Sequence, residues 1–358
     1  MTQPTAPHPV PATPAPLVLM KLIHDVWPAR CIHVAAQFGI ADQLKDGPKR
    51  IAALAEATGT HAPSLRRLLR ALAQVGIFAE VETEYFANTD LSTYLRSDVP
   101  GSMYAMARMW GGQWQWRSWG ELEHSVQTGK PAFDKVHGIP MWRYFVEQDP
   151  EAGTYFDQAM TGFSEAVNLP VAQAYDFSGV CTLVDVGGGH GSLLRTILTM
   201  HPRIETGILF DQPQVVEEAG RSLETADLAG RCQFIAGDFF EAAPEGADAY
   251  IMKMILHDWD DERCIQILTN CRKAMRPNGR VLAAEIVLEP DNPDPFPYLL
   301  DLQMLVVITG RERTEAEFRA LYEAAGLHLT RIIPTASMFS LIEGVPTAGP
   351  LDDVRSRP

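Results

Sequence analysis

The stretch Leu183-Val-Asp-Val-Gly-Gly-Gly-His-Gly191 constrains this chain more than any other. An apolar, β-branched run ends at Asp185. Glycines follow at Gly187, Gly188, Gly189 and Gly191, and an apolar helical pattern begins at Leu193, Leu194, Ile197 and Leu198. That order predicts a strand, a tight turn and a helix. Glycine suits a turn whose φ angles go positive and whose backbone approaches a ligand closely. Open α/β sheets also place their ligands at the C-terminal ends of strands. A glycine-rich βα turn alone identifies nothing. The spacing here, Asp-x-Gly-x-Gly-x-Gly, is not the G-x-G-x-x-G of a dinucleotide site, so the sequence that follows has to supply the meaning.

That sequence alternates strand and helix patterns. Strands are expected over Thr206–Asp211, Cys232–Asp238, Ala247–Lys253 and Arg280–Glu285. Helices are expected over Gln214–Leu223, Asp260–Met275 and Thr314–Ala325, and the closing strands over His328–Pro334 and Phe339–Glu343. Repeated βα units imply a mostly parallel sheet with right-handed crossovers, and the closing hairpin adds an antiparallel strand. Successive strands finish at Gly187, Asp211, Asp238, Lys253 (with His257 just beyond) and Glu285. In a parallel sheet these ends share one edge. One acid at a strand end is unremarkable, but this series points to a site. Asp211, about two dozen residues past the glycine turn, stands where a carboxylate accepts both hydroxyls of a ribose; it would serve equally as an N-cap. Asp238 is placed to accept from the amine of an adenine, with Phe239 beside the ring. Lys253 sits in an apolar context (Tyr-Ile-Met-Lys-Met-Ile), where it pairs with an acid or extends to the sheet edge.

Upstream, Leu17 to Phe38 reads as an apolar helical stretch. Two short helices (Ile51–Gly59 and Ala62–Leu72) and a hairpin around Gly76–Val81 and Glu84–Asn88 then form a winged-helix pattern. Arg66, Arg67 and Arg70 on the second helix leave two readings open, DNA binding or a solvated face on a packing or dimerisation module. A formal net charge of -15 disfavours nucleic acid and anionic membrane as partners. From Gly101 to Met160 the chain is rich in tryptophan and methionine. Most of these side chains suit helical cores or an interface, and a minority, Trp110 and Met160 among them, suit the wall of an apolar pocket. Met304 and Ile308 either add to that wall or belong to the core. The expected organisation is a disordered proline-rich tail (1–16), a winged-helix-like dimerisation domain (17–100), a helical substrate-lining region (101–170), a catalytic α/β domain (171–346) and a flexible tail (347–358), with the boundary near Pro170. Five scattered cysteines with no C-x-x-C pair read as free thiols in a reducing compartment such as the cytoplasm. No signal peptide or apolar run of membrane-spanning length is expected.

Taken together, Asp-Val-Gly-Gly-Gly-His-Gly, Phe-Asp-Gln-Pro, Gly-Asp-Phe-Phe, Met-Lys-Met-Ile-Leu-His-Asp-Trp and Arg-Pro-Asn-Gly-Arg are similar to motifs of the S-adenosylmethionine-dependent O-methyltransferases, the class of the plant caffeate and isoflavone enzymes and of bacterial natural-product tailoring enzymes. The resemblance covers nearly the whole chain. It implies a Rossmann-like class I methyltransferase domain, with a mostly parallel seven-stranded sheet and an antiparallel closing hairpin, behind a mainly α-helical winged-helix element that forms a homodimer. It implies Gly187, Asp211, Asp238, Phe239 and Lys253 as contacts of S-adenosylmethionine, His257 as the base, Glu285 and Glu312 as the acids flanking it, and Met160 near the reacting methyl. No metal is implied. The acceptor is expected to be a small, flat aromatic with a hydroxyl. Methylation of nitrogen or carbon stays open, as does a bland role for His257 as a helix-start residue among Asp258, Asp260, Asp261 and Glu262.

Overall fold

The computed structural model describes residues 14–223, 228 and 230–347. The chain divides into two compact units, Met1–Gln113 and Trp114–Pro358. Most of the expected 1–16 tail and nearly all of the 347–358 tail lie outside the described residues. The first helix nevertheless begins at Ala15, inside the stretch expected to lack order, with Pro16 in its first turn, a position that tolerates the missing N–H.

In the first unit, two helices, Ala15–His24 and Val26–Gln37, replace the single stretch expected over residues 17 to 38. Pro28 accounts for the break, because a proline ring clashes with the carbonyl four residues back, here that of His24. Helices Ile51–Thr58 and Ala62–Gln74 are joined through Gly59, which takes φ +64°. Strands β1 (Lys49–Arg50), β2 (Phe78–Glu82) and β3 (Tyr85–Asn88) pair in the order β1-β3-β2, which completes the winged helix. Its core is built on Ile40, Leu54, Leu65, Leu69, Phe78 and Phe86. Arg66 and Arg70 both pair with Glu80 of the wing, at 3.4 and 3.7 Å. Leu17, Leu19, Met20, Leu22, Ile23 and Trp27 are each more than half exposed. A contiguous run of such side chains marks an interaction surface.

The second unit is a seven-stranded sheet made from β4 (Thr182–Val186), β5 (Thr206–Asp211), β6 (Cys232–Ala236), β7 (Ala249–Lys253), β8 (Arg280–Glu285), β11 (Leu327–Pro334) and β12 (Ser340–Pro346). Two short strands, β9 (Val287–Leu288) and β10 (Arg313–Thr314), pair parallel outside it. The large sheet runs β11-β12-β8-β7-β4-β5-β6, with β12 antiparallel to both neighbours and the other pairs parallel. Period-two alternation buries both faces. Val184, Val186, Tyr250 and Met252 enter one apolar layer, while Leu183, Leu209, Ala249 and Ile251 enter the other. The order reverses at β4, with β5 on one side and β7 on the other. Such a switch point opens a crevice beyond the strand ends. The helix Pro150–Ala174 carries the chain through Pro170 without a break, so the compact division falls at Gln113 and not near Pro170. Among the described residues no helix is long and apolar enough to cross a membrane.

Candidate active site

The glycine turn opens directly from β4 at the switch point. Gly187, Gly189 and Gly191 take φ of +66°, +56° and +76°. Gly188 is needed for space: a Cβ there would lie 2.4 Å from Leu209 Cδ1 and 2.9 Å from the Asp185 carboxyl. Asp211, at the end of β5, braces the turn. Its Oδ2 accepts from Gly189 N at 2.9 Å and its Oδ1 from Gln212 N at 2.7 Å.

Beyond the turn lies a cleft of about 490 Å³. It is lined by the glycine turn with Asp211, Gln212 and Phe239, and by Trp142 with Phe156, Asp157, Met160 and Ser164 of the long helix. Lys253, Ile255, Asp258 and Trp259 also line it. Of the residues expected as cofactor contacts, Gly187, Asp211, Phe239 and Lys253 line this cleft, as does Met160. Asp238 is exposed and does not line it; its Oδ1 accepts from Phe240 N at 2.8 Å. Met304 and Ile308 are buried away from the lining. Trp110 belongs to the first unit, where its Nε1 donates to Met106 Sδ.

The charges in the cleft are unequal. Asp157, Asp185, Asp211, Glu218 and Asp258 stand against Lys253 and His190. Asp185 is 1% exposed and its Oδ2 has no hydrogen-bond partner. Burial pushes its carboxyl up to about 7, against the pull of Lys253 and with the help of Asp211. Burial likewise brings Lys253 down to about 8, opposed by Asp185. The ammonium donates to Asn168 Oδ1 at 2.5 Å, and Asn168 Nδ2 donates to Ser192 Oγ at 2.8 Å. A cationic adenosyl sulfonium fits these residues: a glycine cradle that a Cβ would fill, a carboxylate at the end of β5, an aromatic edge at Phe239 and an excess of acids, one with an orphaned buried oxygen.

The chain leaves β7 through Met254, which holds φ +55°. Non-glycine residues occupy that region at a cost. Glu285, at the end of β8, steadies the conformation: its Oε1 accepts from Ile255 N at 3.0 Å and Leu256 N at 2.8 Å. A single 3₁₀ turn, Leu256–Asp258, then presents His257. The imidazole is 6% exposed, and its Nδ1 lies 2.9 Å from Glu312 Oε1. With Glu312 ionised, Nδ1 carries the proton and donates, so Nε2 is the basic atom. Asp258 Oδ1 stands 3.4 Å from that Nε2. Burial works against a charged imidazole; Asp258, the Glu312 hydrogen bond and Glu285 outweigh it and carry His257 up to about 10. Burial raises Glu285 to about 7 and Asp258 to about 6. Glu285 Oε2 and Glu312 Oε2 both lack partners. The cluster therefore holds more carboxylate than its one imidazole neutralises, which keeps a proton bound in it.

Glu285 and Glu312 thus take different positions. Glu312 meets the imidazole, while Glu285 fixes the backbone that carries it. The sequence reading did not single out Asp185, Asn168, Asp258, Gly310 or Arg313 as site residues. A lone Asp before a glycine turn and Asp258 within an acidic run were the available signals. Among the described residues no group of three or more His, Cys, Asp or Glu side chains is arranged to hold a metal ion.

A family model of the O-methyltransferase domain matches residues 119–328, and one of the O-methyltransferase dimerisation domain matches residues 20–98. The phenazine O-methyltransferase PhzM of Lysobacter antibioticus is 44% identical over 94% of this chain and 97% of its own length. The mitomycin biosynthesis 6-O-methyltransferase of Streptomyces lavendulae is 41% identical over 90% and 93%. A relative named for nitrogen chemistry, the 8-amino-8-demethylriboflavin N,N-dimethyltransferase of Streptomyces davaonensis, is 34% identical over 91% and 94%. The solved structure of CalO1, a methyltransferase of calicheamicin biosynthesis in its S-adenosylhomocysteine-bound form, superposes with a TM-score of 0.81 at 38% identity, covering 94% of this chain and all of that one.

Proposed function

Since the chain belongs to the S-adenosylmethionine-dependent O-methyltransferases, we propose that it methylates a phenolic hydroxyl of a small aromatic natural product and that His257 takes the hydroxyl proton. The observation that carries the second part is the buried His257–Glu312 pair directly beside Asp258 and Trp259 of the cleft wall. S-adenosylmethionine, when bound, supplies a methyl group on a positively charged sulfur. The chain's task is alignment and proton removal. Holding reactants in near-attack geometry is the larger lever, and the glycine turn with Asp211 and Lys253 serves it. A phenol has a pKa near 10 by analogy with tyrosine, so a base within reach accelerates attack. Glu312 keeps Nδ1 protonated, orients the ring and stabilises the imidazolium that forms, as a carboxylate does in other histidine-based sites. The exposed apolar helix at the start of the first unit, together with the dimerisation-domain match, supports a homodimer.

Two expected results follow from this geometry. Asp211→Ala removes the acceptor for Gly189 N and, on this reading, for the ribose hydroxyls. Hydrogen bonds to a charged group contribute about 1.5–3 kcal/mol each, so cofactor affinity falls roughly 10- to 100-fold by titration calorimetry; an unchanged affinity removes Asp211 from the cofactor site. The profile of kcat/KM reports the free enzyme. Because His257 is raised to about 10, kcat/KM climbs with pH from neutrality toward that value. Glu312→Gln takes away one of the groups that raise it, so the acid limb moves to lower pH. Ionisation of the phenol alone would leave the limb in place in the variant.

The function itself is tested by transfer from methyl-labelled S-adenosylmethionine to a panel spanning hydroxyphenazines, dihydroxynaphthoates and aminohydroxybenzoates. Labelled aryl ethers support it. Label on the amine of an aminohydroxy acceptor, with hydroxyls untouched, favours the nitrogen chemistry named for the riboflavin relative.

A further inference from the structure

Arg313 is the largest fully buried side chain among the described residues, and every donor of its guanidinium is used around the histidine loop. Nη1 donates to Leu256 O at 2.9 Å and to Arg311 O at 3.3 Å. Nη2 donates to Trp259 O at 2.8 Å. Nε and Nη2 both reach Asp261 Oδ1, at 3.0 and 2.8 Å. The carbonyls it grips stand one residue before His257 and two after it. The rest of the segment closes on the same loop. Arg311 N donates to His257 O at 2.9 Å, Glu312 meets the imidazole, and Glu312 N is itself held by Asp301 Oδ1 at 2.9 Å. Pairing of β10 with β9 sets Arg313 opposite Val287, two residues past Glu285.

We propose that Arg313 is the positioning residue of this centre: by gripping the Leu256 and Trp259 carbonyls it holds the His257 ring in register with Glu312. Its importance for turnover rests on the reading of His257 as the base; the positioning does not. A buried ion pair is weak grounds for stability, because desolvation offsets the attraction. What five forked donors supply is geometry, and lysine, a compact point charge with three donors, cannot span the same set.

The groups facing His257 are Asp258 on its own turn, Glu312 and Glu285 across from it, and Arg313 and Asp261 behind the loop. Arg313→Lys keeps the charge, so a change in the histidine's titration reports geometry. The experiment is nitrogen-15 NMR of the full chain labelled at histidine, saturated with S-adenosylhomocysteine, with His257 assigned by its loss in His257→Gln. In the wild type His257 titrates well above the usual histidine range, with Nδ1 protonated. In Arg313→Lys the midpoint falls by about one pH unit or more as the Glu312 bond lengthens. Asp261→Glu, which also keeps the charge but displaces the carboxylate that Nε and Nη2 share, does the same to a smaller degree; with its side chain 57% exposed, this variant carries the test should Arg313→Lys fail to fold. Arg231→Lys is the control, because Arg231 bonds the Leu198, His201 and Ile204 carbonyls elsewhere in the unit, and it leaves His257 unmoved. An unshifted His257 in folded Arg313→Lys and Asp261→Glu, or an equal shift in Arg231→Lys, overturns the proposal. Full methyl transfer by His257→Gln, with the NMR shifts present, would sink the base assignment and leave the positioning claim standing.

Discussion

His257→Gln is expected to bind S-adenosylhomocysteine as the wild type does and to turn over about 10²- to 10⁴-fold more slowly, the usual contribution of a positioned general base. Glutamine spans a similar volume and can still hydrogen-bond Glu312, but it cannot accept a proton. Cofactor affinity should hold because the imidazole does not line the cleft. Turnover should not vanish, because alignment survives in the glycine turn, Asp211 and Lys253. The same variant carries a stability signature. His257 is raised above its unfolded value, so its contribution is fully present below about 6.5 and is lost as pH rises through about 10. The melting-temperature deficit of His257→Gln against the wild type should therefore be largest below about pH 6.5 and close as pH rises toward 10. Turnover within a few-fold of the wild type would leave alignment as the whole of the chemistry.

Gly310→Ala is expected to be almost as damaging, although residue 310 bears no side chain. A Cβ there would lie 1.9 Å from His257 O, 2.5 Å from Asp258 C and 2.8 Å from Asp258 Cα. All three are backbone atoms, so no rotamer change relieves the contact, and the histidine loop and the Glu312 segment must separate. Overpacking of this kind costs about 1–3 kcal/mol, which lowers the melting temperature by several degrees in a unit of this size. A displacement near 1 Å at the reacting groups costs about 10²-fold in rate. Gly220→Ala is the matched control: its added Cβ meets nothing within 4 Å among the described residues, in the helix Pro213–Leu223, and helical alanine is neutral or mildly stabilising. A Gly310→Ala variant with wild-type turnover would show that the loop tolerates separation from Glu312.

Much of this was legible in the sequence because it is local. The strand, glycine turn and helix around Asp185 declare themselves by periodicity, and the acids at the ends of β5 and β8 follow from where apolar runs stop. The mostly parallel sheet follows from repeated βα units, whereas its seven strands were implied by the family resemblance and their order is set by long-range pairing. The Pro28 break was legible in principle, since only a proline ring is needed to explain it. What could not be read was long-range. Arg313 reaches its partners across 52 to 57 residues, Lys253 meets Asn168 across 85, and Gly310 matters only because the histidine backbone passes beside it. Asp258 was hidden among neighbouring acids that do separate work: Asp260 caps the helix Asp261–Ala274 and Asp261 holds Arg313. The boundary expected near Pro170 falls inside one 25-residue helix, Pro150–Ala174, whose continuity no local signal in the sequence declared.

The most direct test of the account is the atom that receives the methyl. Reaction with [methyl-¹³C]S-adenosylmethionine, followed by ¹³C NMR of the product from the acceptor that turns over fastest, distinguishes a methyl on oxygen from one on nitrogen or carbon by chemical shift. The expected product is an aryl methyl ether, formed by the wild type and about 10²- to 10⁴-fold more slowly by His257→Gln. A methyl on nitrogen or carbon, or an ether formed equally well without His257, would contradict it.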